Sequence, residues 1–179
     1  MKQDPKGPNR WLMIGVAAAF AVVATVSAWK SNAQTPAAPV VEQHAMPYDE
    51  AADPQRDLQV ALARARQENK RVLVVFGANW CPDCRELDKE FHAGGKTQAL
   101  VAGRYEVVKV DVGRFDKNLD FAKLYGEPIK KGIPSVVVVT PTNEVVYQTR
   151  AGELADARAM GRDGIYGFFK DKADKPVGF

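Results

Sequence analysis

Residues 48–179 of this 179-residue chain predict an α/β fold, a central mixed β-sheet flanked by helices. Three observations carry that expectation. Short apolar runs rich in β-branched residues, Arg71 to Phe76, Tyr105 to Val112 and Ser135 to Thr140, alternate with segments of helical spacing. A turn at Pro141-Thr142-Asn143 joins the third run to Glu144 to Gln148, which reads as a hairpin. The composition, 46% hydrophobic and 26% charged, is that of a globular protein and excludes wholesale disorder.

The first element precedes the domain. Trp11 to Trp29 is 19 residues without a charge, and Lys2, Lys6 and Arg10 stand before it against Asp4. A positive region followed by an apolar run is the form of an export signal. It places the N-terminus in the cytoplasm and the rest of the chain across the membrane. The segment 1–29 is either a cleaved signal peptide, with Ser31-Asn32-Ala33 as a small-x-small site, or a retained signal anchor. Its length and the tryptophans at both ends favour an N-terminal hydrophobic helix anchored in the membrane. Residues 30–47 are rich in Ala, Pro, Gln and Ser and lack a hydrophobic period, so they read as a flexible linker.

Within the domain, Asp53-Pro54 reads as an N-cap followed by proline at the first helical position. Leu58, Leu62 and Ala65 then predict a helix over about 54–68. Arg71 to Phe76 lacks alternation, as expected of a strand buried on both faces. Arg85 to Phe91 reads as helix stopped by Gly94-Gly95, and Thr97 to Val101 as a further turn or two. Tyr105 to Val112 is a second strand, and Asp116 to Leu124 is helical, ending at Gly126. After the hairpin, Ala155 to about Lys172 forms a final helix, weakened in its middle by Gly161 and Gly164. Strands joined through helices predict a parallel pair, and the hairpin adds antiparallel strands.

Charge narrows the partners. Of 25 basic and 22 acidic residues, four and one lie at or before position 30, leaving 21 of each in the body. A neutral domain lacks the basic stripe that nucleic-acid binding requires, so no nucleic acid is expected as a partner. Cys81 and Cys84 are the two cysteines. A bridge between them would close a very small loop and stabilise little, so the pair reads as chemistry.

The context is Gly77-Ala78-Asn79-Trp80-Cys81-Pro82-Asp83-Cys84, directly after an apolar strand and opening a helix. Cys81 at a helix N-terminus meets free N–H groups and the macrodipole, which favour a thiolate. Cys84 lies one turn in, and Pro82 suits the first helical turn. Trp80 either shields the site and offers a docking surface or simply covers the helix end. Asp83 opposes thiolate formation by its charge, which exposure would screen.

The block VLVVFGANWCPDC resembles the active-site strand and turn of the thioredoxin superfamily. Tyr125-Gly126, followed by Gly132-Ile133-Pro134 and an apolar strand, resembles its second signature. The resemblance spans roughly residues 55–172 and is nearest to periplasmic thioredoxin-like and thiol:disulfide interchange proteins. It implies a thioredoxin-like fold, a cis bond before Pro134 facing the cysteines, and pairing of extended substrate at Ile133. Three departures stand out. Val75 occupies the position of the family's buried aspartate, while Lys109 matches its usual lysine partner. Asp88, four residues after Cys84, is then a candidate for proton transfer and Lys109 for thiol tuning. The ordinary alternatives are a solvent-facing helix charge and a solvated or snorkelling lysine. Glu127 to Lys131 lengthens the loop before Gly132 by three residues, and Pro82-Asp83 leaves the redox direction open.

The resemblance implies an envelope thiol:disulfide oxidoreductase with no cofactor beyond the Cys81–Cys84 redox pair. It is expected on the periplasmic side of the bacterial inner membrane, anchored through residues 11–29 or released by cleavage. Its substrates are protein thiols and disulfides, and a tethered reductase implies a membrane electron donor or acceptor protein. Reductase is the preferred direction. The alternatives are a disulfide oxidase or isomerase, a metal-binding module joining the cysteines to His92 or His44, and a non-catalytic adaptor.

Overall fold

A computed structural model describes residues 46–173. The helix expected over 11–29 and the expected linker up to residue 45 lie outside the described residues. Among those described, no helix is long and apolar enough to cross a membrane.

Helix α1 (Pro54–Glu68) starts where the cap predicts. The Asp53 carboxylate accepts from the backbone N–H of Gln55 at 2.9 Å and of Arg56 at 3.2 Å. Strand β1 (Arg71–Gly77) leads to α2 (Pro82–His92) and α3 (Lys96–Arg104). Strand β2 (Tyr105–Asp111), the short helix α4 (Leu119–Lys123) and a 3₁₀ turn (Pro128–Lys131) follow. The hairpin β3 (Ser135–Val139) and β4 (Val145–Gln148) precedes α5 (Ala157–Ala173).

The sheet order is β2-β1-β3-β4. β1 runs parallel to β2, with Arg71 opposite Tyr105, and antiparallel to β3, with Val72 opposite Val139. β3 and β4 are antiparallel, as the hairpin predicts. The central strands β1 and β3 are buried on both faces, which accounts for their unbroken apolar runs. Alternate residues of β1 feed two cores. Val72, Val74 and Phe76 pack with Leu58 and Leu62 of α1 and with Phe121. Leu73 and Val75 pack with Leu87, Phe91, Ile165 and Phe169 on the opposite side. Both cysteines belong to the first core.

One expectation needs correction. Asp116 to Leu124 is helical only over Leu119–Lys123. The preceding chain turns instead: Phe115 and Asn118 adopt positive φ, and the N–H groups of Phe115, Asp116 and Lys117 converge on the Val112 carbonyl. Local side-chain bonds hold that turn, Asp116 accepting from Arg114 N–H and Asn118 donating to the Asp111 carbonyl. The loop from Glu127 to Lys131 contains the 3₁₀ turn, opened by Pro128. The weakening expected in the last helix is realised at Gly161, whose φ of 61° and ψ of 177° interrupt α5. That conformation is essentially reserved for glycine.

Candidate active site

Strand β1 delivers the redox turn. After Gly77 the chain passes through buried Ala78 and reaches Cys81, which caps α2. Pro82 holds the first helical position, where its missing N–H has no role. Cys81 and Cys84 are joined as a disulfide with their Cα atoms 5.2 Å apart. The Cys84 backbone N–H donates to Cys81 Sγ at 3.1 Å. Both residues are buried, Cys84 completely.

Opposite them, the Ile133–Pro134 bond is cis, as the resemblance implied. The Ile133 carbonyl oxygen lies 3.6 Å from Cys81 Sγ. The 3₁₀ turn and Gly132, at φ 118°, bring this segment back to the sulfurs. Trp80 is exposed, and its indole N–H donates to the Gly113 carbonyl at 2.7 Å. Phe115 meets it edge-on at 6.2 Å, and the Arg114 guanidinium lies 5.6 Å from its ring centre. Trp80 and exposed Phe115 thus form an apolar ledge beside the disulfide.

Asp83 is anchored rather than solvated. Its side chain is 13% exposed, and Arg158 of α5 holds it through the backbone N–H at 3.0 Å, Nε at 3.2 Å and an Nη at 3.2 Å. Burial pushes this carboxyl up, but the Arg158 N–H and guanidinium outweigh it and leave it below the usual carboxylate range.

Asp88 does not face solvent. It is 4% exposed on the inner side of α2 and forms an ion pair with Lys109 of β2. His92 Nδ1 lies 3.5 Å from the same carboxylate and 2.7 Å from the Asp88 carbonyl. Lys109 is neither freely solvated nor snorkelling alone: it is largely covered and spent on Asp88. His92, weighed above as a metal ligand with the cysteines, is engaged there, and His44 lies outside the described residues. Among the described residues no cluster of three or more His, Cys, Asp or Glu forms.

Tyr48 was not foreseen. It is 3% exposed, and its phenol occupies the space a side chain at position 77 would need. A Cβ built on Gly77 would collide with that phenol and lie 3.0 Å from Cys84 Sγ, so Tyr48 backs the buried cysteine. Asn79 pins it, accepting from the Tyr48 N–H and donating to its carbonyl, both at 2.9 Å. Burial, and then the charges of Asp88 and Asp111, push the Tyr48 hydroxyl far above its usual range. Tyr48 lies outside any periodic element, so no spacing marks it. Arg158 and Phe115 were missed for the same kind of reason: they reach the site from distant segments.

A family profile described as thioredoxin-like matches residues 53–141. Among solved structures, the chain is similar to a disulphide isomerase from Xylella fastidiosa Temecula1, at 52% identity over 70% of this chain and 95% of that one, with a TM-score of 0.68. The oxidised C-terminal domain of DsbD from Neisseria meningitidis matches at 19% identity over 68% and 97% of the two chains, with a TM-score of 0.46. A thioredoxin from Thermus thermophilus matches at 25% identity over 59% and 84%, with a TM-score of 0.39. No curated protein matches.

Proposed function

The chain belongs to the thioredoxin-like family and is a thiol:disulfide oxidoreductase, and we propose that it acts as an envelope reductase of protein disulfides. The observation that carries this reading is the Cys81–Cys84 disulfide at the N-terminus of α2, facing the cis Ile133–Pro134 segment.

In the reduced protein the helix N-terminus favours the Cys81 thiolate. That thiolate attacks a substrate disulfide. A Cys81–substrate bond forms, the substrate S–S bond breaks, and the departing sulfur takes a proton from solvent. The Cys84 thiol then loses its proton, and its sulfur attacks Cys81 Sγ. The Cys81–Cys84 bond forms, the mixed disulfide breaks, and the second substrate sulfur leaves reduced. Two electrons have passed from the protein to the substrate. Ile133 offers backbone to an extended substrate, and Trp80 with Phe115 offers an apolar contact. The buried Asp88–Lys109 pair is the candidate acceptor for the Cys84 proton, in place of an acid at Val75.

The pair needs no further cofactor. Rereduction needs a dithiol donor, and a membrane protein is proposed for that role because residues 11–29 read as an anchor. The domain would then work on the periplasmic side of the inner membrane.

Isomerase is the second reading, favoured by the 52% identity to a disulphide isomerase. The first step is shared. In isomerisation a thiol of the substrate resolves the mixed disulfide, and no net electrons pass. The reduction potential of the couple tests the direction, with thiol trapping after equilibration in glutathione or dithiothreitol. A value near −250 mV or lower supports the reductase, and one near −120 mV overturns it in favour of an oxidant.

A further inference from the structure

Two arginines on either side of the break in α5 grip two acids on α2. Arg158 holds Asp83, and Arg162 Nε meets the two Glu90 carboxylate oxygens at 3.1 and 3.2 Å. Gly161 lies between the arginines, and its backbone resets the direction of the chain between them. The acids are two turns apart on one helix, so they share a face. Both carboxylates are well covered, with side-chain exposures of 13% and 5%. One acid lies between the redox cysteines and the other far along α2.

We propose that Arg158 is a positioning residue of the redox site that cancels the Asp83 charge and thereby keeps Cys81 an effective nucleophile. The proposal rests on the oxidoreductase reading above and adds to it a residue that controls the attacking sulfur. Asp83 stands in the first turn of α2, whose N-terminal field would stabilise a Cys81 thiolate. An unpaired carboxylate there opposes that field. Arg158 supplies the matching positive charge through a two-toothed grip, and its backbone N–H independently fixes the same carboxylate. The separation of these roles makes the proposal testable. Replacing the Arg158 side chain removes the charge, while the backbone N–H can still hold Asp83 in place. Other charged groups near the redox turn are Arg85 beside Cys84, Arg114 over Trp80, the Asp88–Lys109–His92 cluster on the inner side of α2, and Asp111, Glu50, Asp116 and Lys117 on the side of Trp80 and Tyr48.

The test compares Arg158→Ala, Asp83→Asn, the double variant and Arg162→Ala in the full chain, purified in detergent. The readouts are the pH dependence of Cys81 alkylation and the reduction potential. Arg158→Ala should raise the Cys81 pKa and lower its thiolate fraction at pH 7 about threefold, since the pair is partly exposed to water. The reduced form is then less stable, so the potential moves about 15 mV more negative, one half of the roughly 30 mV that a tenfold change represents. Asp83→Asn should shift Cys81 the opposite way, and the double variant should return close to wild type. Arg162→Ala loosens the same helix contact without touching Asp83, so it should lower the melting temperature and leave the Cys81 pKa in place. Equal shifts from Arg158→Ala and Arg162→Ala, or no reversal in the double variant, would reduce Arg158 to a packing residue and overturn the proposal. Alkylation needs no protein substrate, so a chain that fails to reduce disulfides overturns the function reading separately.

Discussion

Lys109 stands opposite Val75 in the parallel β1–β2 pairing and forms an ion pair with Asp88 of α2. The strand position that lacks an acid is therefore next to a lysine whose counter-charge comes from a different element. Asp88→Asn should slow the attack of Cys84 on the mixed disulfide, by about tenfold or more if the carboxylate accepts the Cys84 proton. Attack by Cys81 on the substrate should change little. Stopped-flow resolution of a preformed mixed disulfide separates the two steps, and equal slowing of both would sink the assignment.

Cys84→Ser should trap substrates. The first attack still occurs through Cys81, but the resolving sulfur is gone. Mixed disulfides should accumulate with a model protein disulfide and dissolve on addition of dithiothreitol. An adaptor that only binds partners would show no such adducts on non-reducing gels.

Gly77→Ala should destabilise the domain by about 1–3 kcal/mol, because the new methyl group must displace the Tyr48 phenol. In a Tyr48→Ala background, itself destabilised by the lost ring, the cost of Gly77→Ala should shrink, since the space is vacated. Chemical denaturation of the single and double variants measures the coupling, and simple additivity would show that the two positions do not share one volume.

Asp83 sets an acid limb. Burial raises its carboxyl and Arg158 outweighs that, so the folded value lies below the unfolded one. The pair thus contributes stability that is fully present above about pH 4 and fades as pH falls through the folded value. The melting-temperature advantage of wild type over Asp83→Asn should therefore hold above the ordinary aspartate value of about 3.9 and shrink as pH falls below it. An advantage that grows on acidification would contradict the sign.

The redox turn was legible because its chemistry is local. Strand, tryptophan, two cysteines and helix follow one another without a break from Arg71 to His92, and cap and proline rules place the turn. α1 begins at Pro54 and β3 at Ser135, as their caps and apolar runs predict. Asp88 was identified by its spacing from Cys84, but its burial depends on where β2 brings Lys109, which spacing along one helix does not contain. Tyr48 and Arg158 were invisible for the same reason: the one comes behind Cys84 and the other onto Asp83 from segments far away in the chain. The helix expected over 116–124 lost its first three residues to side chains that bond their own backbone, a local competition that composition alone understates.

Tyr48 also limits where the chain can be shortened. A fragment beginning at Pro54 would keep every helix and strand of the described residues, yet it would open a void behind Cys84 where the phenol now sits. Water and small oxidants could then reach a sulfur that the intact domain shields from the rear. Such a fragment should overoxidise in dilute peroxide while the longer chain survives. The few residues ahead of the first helix thus serve as a stopper, deciding from which side the resolving cysteine can be approached.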